Sequence, residues 1–195
     1  MKKLFMFISL ISMMLLTGCG NDSIENLAEN LKKIELTGNL VTYQAYYHNV
    51  VEYDKPATGL LSFVEKDRKL FAEYTGTIKY GINLSKVKIN VDGSVVNVFI
   101  PKATVIGEPN VDKDDFKSEN FIESKDGFIF KNPITADDSS SAFNTAQKEI
   151  KENALNDIEV LSMAQKRAKV IIEENINQFS GMSNKKYTIN WEYEQ

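Results

Sequence analysis

From Glu35 to about Phe130 the chain alternates apolar and polar residues in short runs cut by turn residues, the pattern of β-strands with one buried face. Lys86 to Val91 puts Val87, Ile89 and Val91 on one side. Asp92-Gly93 then supplies a two-residue turn, and Val96, Val98 and Ile100 carry the return strand. Pro101 ends that strand because it has no N–H to give to a ladder. Longer strands are predicted from Leu40 to Tyr53 and from Leu70 to Tyr80, and Asp126-Gly127 marks a second hairpin between Phe121-Ile122 and Phe128-Ile129-Phe130.

After a polar loop from Asn132 to Ser141 the period changes. Phe143, Ala146, Ile150, Ala154, Ile158, Leu161, Ala164, Ala168, Ile171 and Phe179 recur at helical spacing. Asn153, Asn156 and Asp157 interrupt the good helix formers, so the stripe is predicted to break there into two helices. Gly181 is expected to close the second helix, and Tyr187 to Tyr193 reads as a last strand with Tyr187, Ile189 and Trp191 on one face. The fold class is therefore α+β: an antiparallel sheet with C-terminal helices packed on one face and a final C-terminal strand. The helical stripe breaks heptad spacing, which favours packing on the sheet over a coiled-coil seam.

The N-terminus follows another rule. Lys2 and Lys3 precede an uncharged stretch from Leu4 to Gly20, the layout of a signal peptide, which also reaches the lower length limit of a retained membrane-spanning helix. Leu16, Thr17, Gly18 and Cys19 at its end resemble the lipobox of bacterial lipoproteins, in which the cysteine thiol takes a diacylglyceryl group and becomes the first mature residue. Residues 1–18 are accordingly read as signal peptide, 19–34 as a lipid-anchored tether and 35–195 as a single domain. Asp22 and Glu25 could box the start of a short helix through Ile24, Leu27 and Leu31 in that tether, and a flexible leash is the competing reading. The expected location is the extracytoplasmic side of the cell membrane, with the lipid bilayer as first partner through Cys19.

Cys19 is the one cysteine, so the domain has no disulfide and no thiolate metal site. Without residues 1–18 the chain keeps 21 basic against 27 acidic residues, a formal charge of about −6. That overall balance argues against a nucleic-acid partner and against a domain drawn bodily onto anionic lipid.

Candidate chemistry is sparse. His48 is the single histidine, sits on a predicted strand and lacks a Gly-x-Ser-x-Gly partner motif, so it reads as an ordinary strand residue. Asp112, Asp114 and Asp115 have part of the spacing of a calcium loop but lack its glycine and distal glutamate, and read as a solvated acidic loop. Gly76 and Gly81 precede no phosphate-binding helix start and are expected at a bulge or turn. Tyr43, Tyr47 and Tyr53 share one face of their strand, with Tyr46 on the other, and form a candidate aromatic binding face that competes with a place in the core. No catalytic residue, metal ligand or cofactor is assigned.

Gly81-Ile82-Asn83-Leu84-Ser85-Lys86, Ile100-Pro101-Lys102-Ala103, Asn132-Pro133-Ile134 and a helix spaced by Ala154, Ala164 and Ala168 occur in that order. With them the chain, from about Tyr74 to Trp191 (74–191), resembles the bacterial domain of unknown function 4230. The resemblance implies an aspartate where Asn83 stands, and it brings no reaction, since the group has none assigned. Three functions are weighed. The favoured one is a non-catalytic protein that binds an envelope protein or wall component. The others are a small solute-binding lipoprotein, which would need a deep cleft, and a carboxylate-based hydrolase, which would need two facing acids roughly 5 to 10 Å apart.

Overall fold

Two long strands dominate the molecule. In the computed structural model, which describes residues 37–55, 68–123, 133–183 and 186–194, β1 (Asn39–Lys55) and β2 (Arg68–Asn83) pair antiparallel along their whole length. β5 (Thr104–Val111) and the short β6 (Phe121–Glu123) both pair with β2, giving a four-stranded sheet with β1 at its edge. A second, three-stranded sheet has the order β3 (Lys88–Asp92), β4 (Val95–Ile100), β7 (Thr188–Tyr193). Helices α1 (Ala136–Asn156) and α2 (Ile158–Ser183) complete the fold. The residues read as signal peptide, lipobox with Cys19 and tether, and the expected Asp126-Gly127 turn, all lie outside the described residues.

The α+β architecture follows from two cores. Val51, Leu70, Ala72, Tyr74, Ile78 and Tyr80 on the large sheet meet Ala142, Ala146, Ile150, Ala154 and Ala164 on the helices. Around the small sheet, Val91, Val96, Val98 and Ile100 meet Ala168, Ile172 and Ile176 of α2. The division of labour is steric. The sheet supplies tyrosines, so the helices must be lined with alanine to come close. Gly76 extends this: a Cβ there would lie 2.8 Å from Ile150 Cδ1. α2 touches both cores and joins the two sheets into one body.

The pairing of β1 and β2 slips between Val41 and Tyr43. This bulge lets Leu40, on one side of it, and Tyr43, Ala45 and Tyr47, on the other, face inward in spite of the odd spacing. Gly81 sits opposite, where a Cβ would lie 1.9 Å from the Leu40 carbonyl oxygen, so only glycine fits. Thr42 within the bulge donates from Oγ1 to the Ala164 carbonyl at 2.9 Å, tying sheet to helix.

The structure differs from the sequence reading in four places. The turn of the β3–β4 hairpin is Gly93-Ser94, since Asp92 still pairs with Val95, and Gly93 takes the positive φ of 58°. The segment expected as loop up to Ser141 is already helical from Ala136, because Thr135 and Asp138 form a capping box. α2 continues past Gly181 to Ser183. Lastly, β7 pairs with β4 in parallel rather than antiparallel, the helices serving as the crossover.

The break between the helices falls at Asp157, as expected from the polar residues there. Asp157 Oδ1 accepts from the Val160 amide at 3.1 Å and caps α2. The extra residue resets the helical phase. Ile158 is 80% exposed, and the stripe resumes at Ala164, Ala168, Ile172 and Ile176.

Candidate functional site

The predicted tyrosine face lies under the helices. Tyr43 and Tyr47 converge on Tyr80, Tyr43 edge-on with ring centroids 6.4 Å apart and Tyr47 through a hydroxyl contact of 2.9 Å. Tyr53 packs on the first core. Tyr80 itself is fully buried, and burial, followed by the Tyr47 hydrogen bond, raises its pKa far above the ordinary phenol value. These three tyrosines mainly build the helix–sheet interface, with Tyr43 reaching its rim at 38% exposure.

The other side of the large sheet is bare among the described residues. Tyr46 is 80%, Ile122 70% and Val50 53% exposed there. Tyr46 stands opposite Thr77, Val50 opposite Glu73, and Ile122 opposite Phe71. His48 Nε2 lies 2.5 Å from Glu73 Oε1, both side chains largely in solvent. The outer edge of β1 also has no strand partner among the described residues; one of its amides, that of Val50, is satisfied by Asn49 Oδ1 at 2.9 Å.

The acidic loop is structural in its contacts. Asp115 Oδ2 accepts from the Thr75 amide and hydroxyl at 2.9 and 3.2 Å, and Asp112 Oδ1 accepts from the Asp114 amide at 2.9 Å. Asp114 pairs with Lys117 at 3.1 Å. Among the described residues no group of three or more His, Cys, Asp or Glu could hold a metal ion.

Two clefts flank the first residues of β1. One, of about 410 Å³, is lined by Asn39, Asn83, Lys86, Lys102, Thr104 and Gly107, among others. It lies where two of the recognisable segments meet. Asn83 Oδ1 accepts from the Ser85 amide at 2.9 Å and Ser85 Oγ at 2.5 Å, capping the 3-10 turn Leu84–Lys86. An aspartate would cap the turn equally well, so asparagine here leaves the local structure intact. On the other side Gln165 clamps the Pro101 to Ala103 segment, donating from Nε2 to the Pro101 carbonyl at 3.0 Å and accepting from the Ala103 amide at 2.6 Å. Glu194 accepts from the Lys102 amide at 3.0 Å. The second cleft, of about 660 Å³, runs between Thr42–Gln44 and α2, past Lys166, Arg167 and Glu174. Sequence reasoning singled out neither, since a surface lysine carries no signal until its neighbours are known.

Fold and surface together define a two-core α+β domain with one sheet face covered by helices, one face bare, and open clefts rather than a two-lobed pocket among the described residues. A family model described as Protein of unknown function (DUF4230) matches residues 32–189. The chain belongs to that family, and the match begins well before Tyr74, taking in β1 as well. No curated protein and no solved structure matches the chain.

Proposed function

We propose that the chain is an extracytoplasmic lipoprotein, exported by residues 1–18 and anchored through lipid on Cys19, whose domain binds another envelope protein and performs no covalent chemistry. The observation that carries the reading is the run Leu16-Thr17-Gly18-Cys19 closing an uncharged stretch behind two lysines. Two acyl chains on one thiol, at about 0.8 kcal/mol per buried methylene, would hold the domain at the surface. Among the described residues no helix is long and apolar enough to cross a membrane. The bare sheet face with Tyr46, Val50 and Ile122 supports the binding half, because aromatic and aliphatic side chains on an otherwise polar surface are what partner surfaces use.

The anchor is tested by metabolic labelling with a fatty acid. The wild-type chain is expected to take up label and Cys19→Ser to take up none; label retained in Cys19→Ser overturns the anchor. The binding half is tested by native electrophoresis of gently solubilised membranes. Tyr46→Ser with Ile122→Ser is expected to convert a larger species to the monomer mass without lowering Tm. A wild-type chain that runs only as monomer overturns it.

A further inference from the structure

We infer that the end of the domain where β1 begins is built to face an anionic bilayer, with the Lys86–Lys102 cleft as a seat for a lipid phosphate. The inference rests on the anchored reading above for its geometry, and on the described side chains for its chemistry.

Overall charge conceals a separation along the molecule. Glu52, Asp54, Asp112, Asp114, Asp115 and Asp137 lie from the middle of β1 to its far end, where Lys69 and Lys117 are consumed in ion pairs with Glu52, Asp54 and Asp114. At the near end the position is reversed. Of the two clefts beside Asn39 and Thr42, one carries Lys86 and Lys102 against Glu194, the other Lys166 and Arg167 against Glu174, so each keeps an excess of one positive charge. All four are exposed, and none has an ion-pair or hydrogen-bond partner for its side chain among the described residues. Cations with no such partner among the described residues are available for anions outside the domain.

The Lys86–Lys102 cleft has the donor set for a phosphate diester. Lys86 and Lys102 line it together with Asn39 and Thr104, residues whose side chains can add neutral donors to two ammonium groups. Glu194 also lines it, and its Oε2 is already engaged by the Lys102 amide. The position is right as well. Asn39, the first residue of β1 and the near end of the stretch that starts at Cys19, lines this cleft. The acidic far end lies beyond the ~10 Å over which salt leaves such repulsion unscreened.

A lipid headgroup and free phosphate share this chemistry, and one experiment separates them. The full mature protein, purified from membranes, is mixed with vesicles of phosphatidylcholine alone, with vesicles containing phosphatidylglycerol, and with the neutral vesicles plus inorganic phosphate. Sedimentation and amide exchange of residues 83–86 and 102–107 are measured. Expected is slowed exchange of both segments on phosphatidylglycerol only, lost in Lys86→Gln/Lys102→Gln, with a fall in affinity of about fivefold per cation. Protein that stays on both vesicles with equal exchange overturns the cleft and leaves the anchor standing. Sedimentation with phosphatidylglycerol alone, abolished by the lysine variant, supports the cleft and counts against the anchor. Equal slowing by inorganic phosphate overturns the membrane-facing assignment, and sedimentation with neither vesicle overturns both readings. Since these lysine side chains make no ion pair or hydrogen bond among the described residues, the variant should keep the wild-type Tm, and a large drop would itself contradict the premise.

Discussion

Lys55, the last residue of β1, places its ammonium 2.5 Å from Oδ2 of Asp138 in the first turn of α1, with 7% and 10% of the two side chains exposed. The same ammonium donates to the Pro133 carbonyl at 2.5 Å, and the same carboxylate accepts from the Thr135 amide and hydroxyl at 2.8 and 2.7 Å. One buried ion pair thus locks the end of the sheet to the start of the helix layer. Burial by itself would raise the Asp138 pKa, but the hydrogen bonds from Lys55 and Thr135, with the Lys55 charge, outweigh it and hold the carboxyl below its ordinary value.

Removing one partner strands the other. Lys55→Ala and Asp138→Ala are each expected to lose about 3 to 5 kcal/mol, whereas Lys55→Met with Asp138→Leu should recover much of that. Thermal melts of the three variants check it. Because the folded carboxyl is the stronger acid, its contribution is present above the unfolded value of 3.8 and disappears as pH falls through the folded one. The wild-type chain should therefore lose stability below about pH 4 more steeply than the double variant.

The glycines separate a strict from a lenient requirement. At Gly81 a methyl would strike the backbone oxygen of Leu40, while at Gly76 it would meet the movable end of Ile150. Gly81→Ala is expected to cost at least about 3 kcal/mol and Gly76→Ala about 1, read as the midpoint of urea unfolding.

Gln165 should behave as part of the backbone it bonds. Gln165→Leu leaves the Pro101 carbonyl and the Ala103 amide unsatisfied, at a cost of about 2 to 3 kcal/mol. Gln165→Glu keeps the acceptor but turns a charged oxygen on the Pro101 carbonyl, so its deficit in Tm should shrink as pH falls and the carboxyl protonates.

Two buried tyrosines should give opposite results. Among the described residues the Tyr74 hydroxyl makes no well-formed hydrogen bond, though Glu149 and Asn49 lie close to it, whereas that of Tyr80 meets Tyr47. Tyr74→Phe is expected to leave stability unchanged or raise it slightly, and Tyr80→Phe to lower it by about 1 kcal/mol; paired calorimetric scans distinguish them.

Local pattern made much of this fold legible. β1 and β2 were readable from alternation, the β3–β4 hairpin from its glycine, and the helix break from Asn153 to Asp157, because each depends on neighbours in sequence. What depended on distant contacts was not. Ile171 fits the helical stripe on paper, yet Ile172 is the buried residue, since beyond Ala164 the helix leaves the first core and packs on the small sheet through Ala168, Ile172 and Ile176. Tyr43, Tyr47 and Tyr53 sort correctly to one side of β1, but nothing local says that α1 and α2 cover that side. The parallel match of β7 to β4 and the meeting of Lys86 with Lys102 in one cleft are likewise set by residues far away in the chain.

That parallel match has a consequence for synthesis. Thr188–Tyr193 supplies the outer strand of the small sheet, and Tyr187, Ile189 and Trp191 press on its core from beyond both helices in the chain. A growing chain consequently carries β4 with an open flank until Thr188–Tyr193 has been made, so the small sheet is completed only after both helices. A chain cut before Thr188 would keep that flank open, so the small sheet closes only where the helices and the strand that follows them are present together.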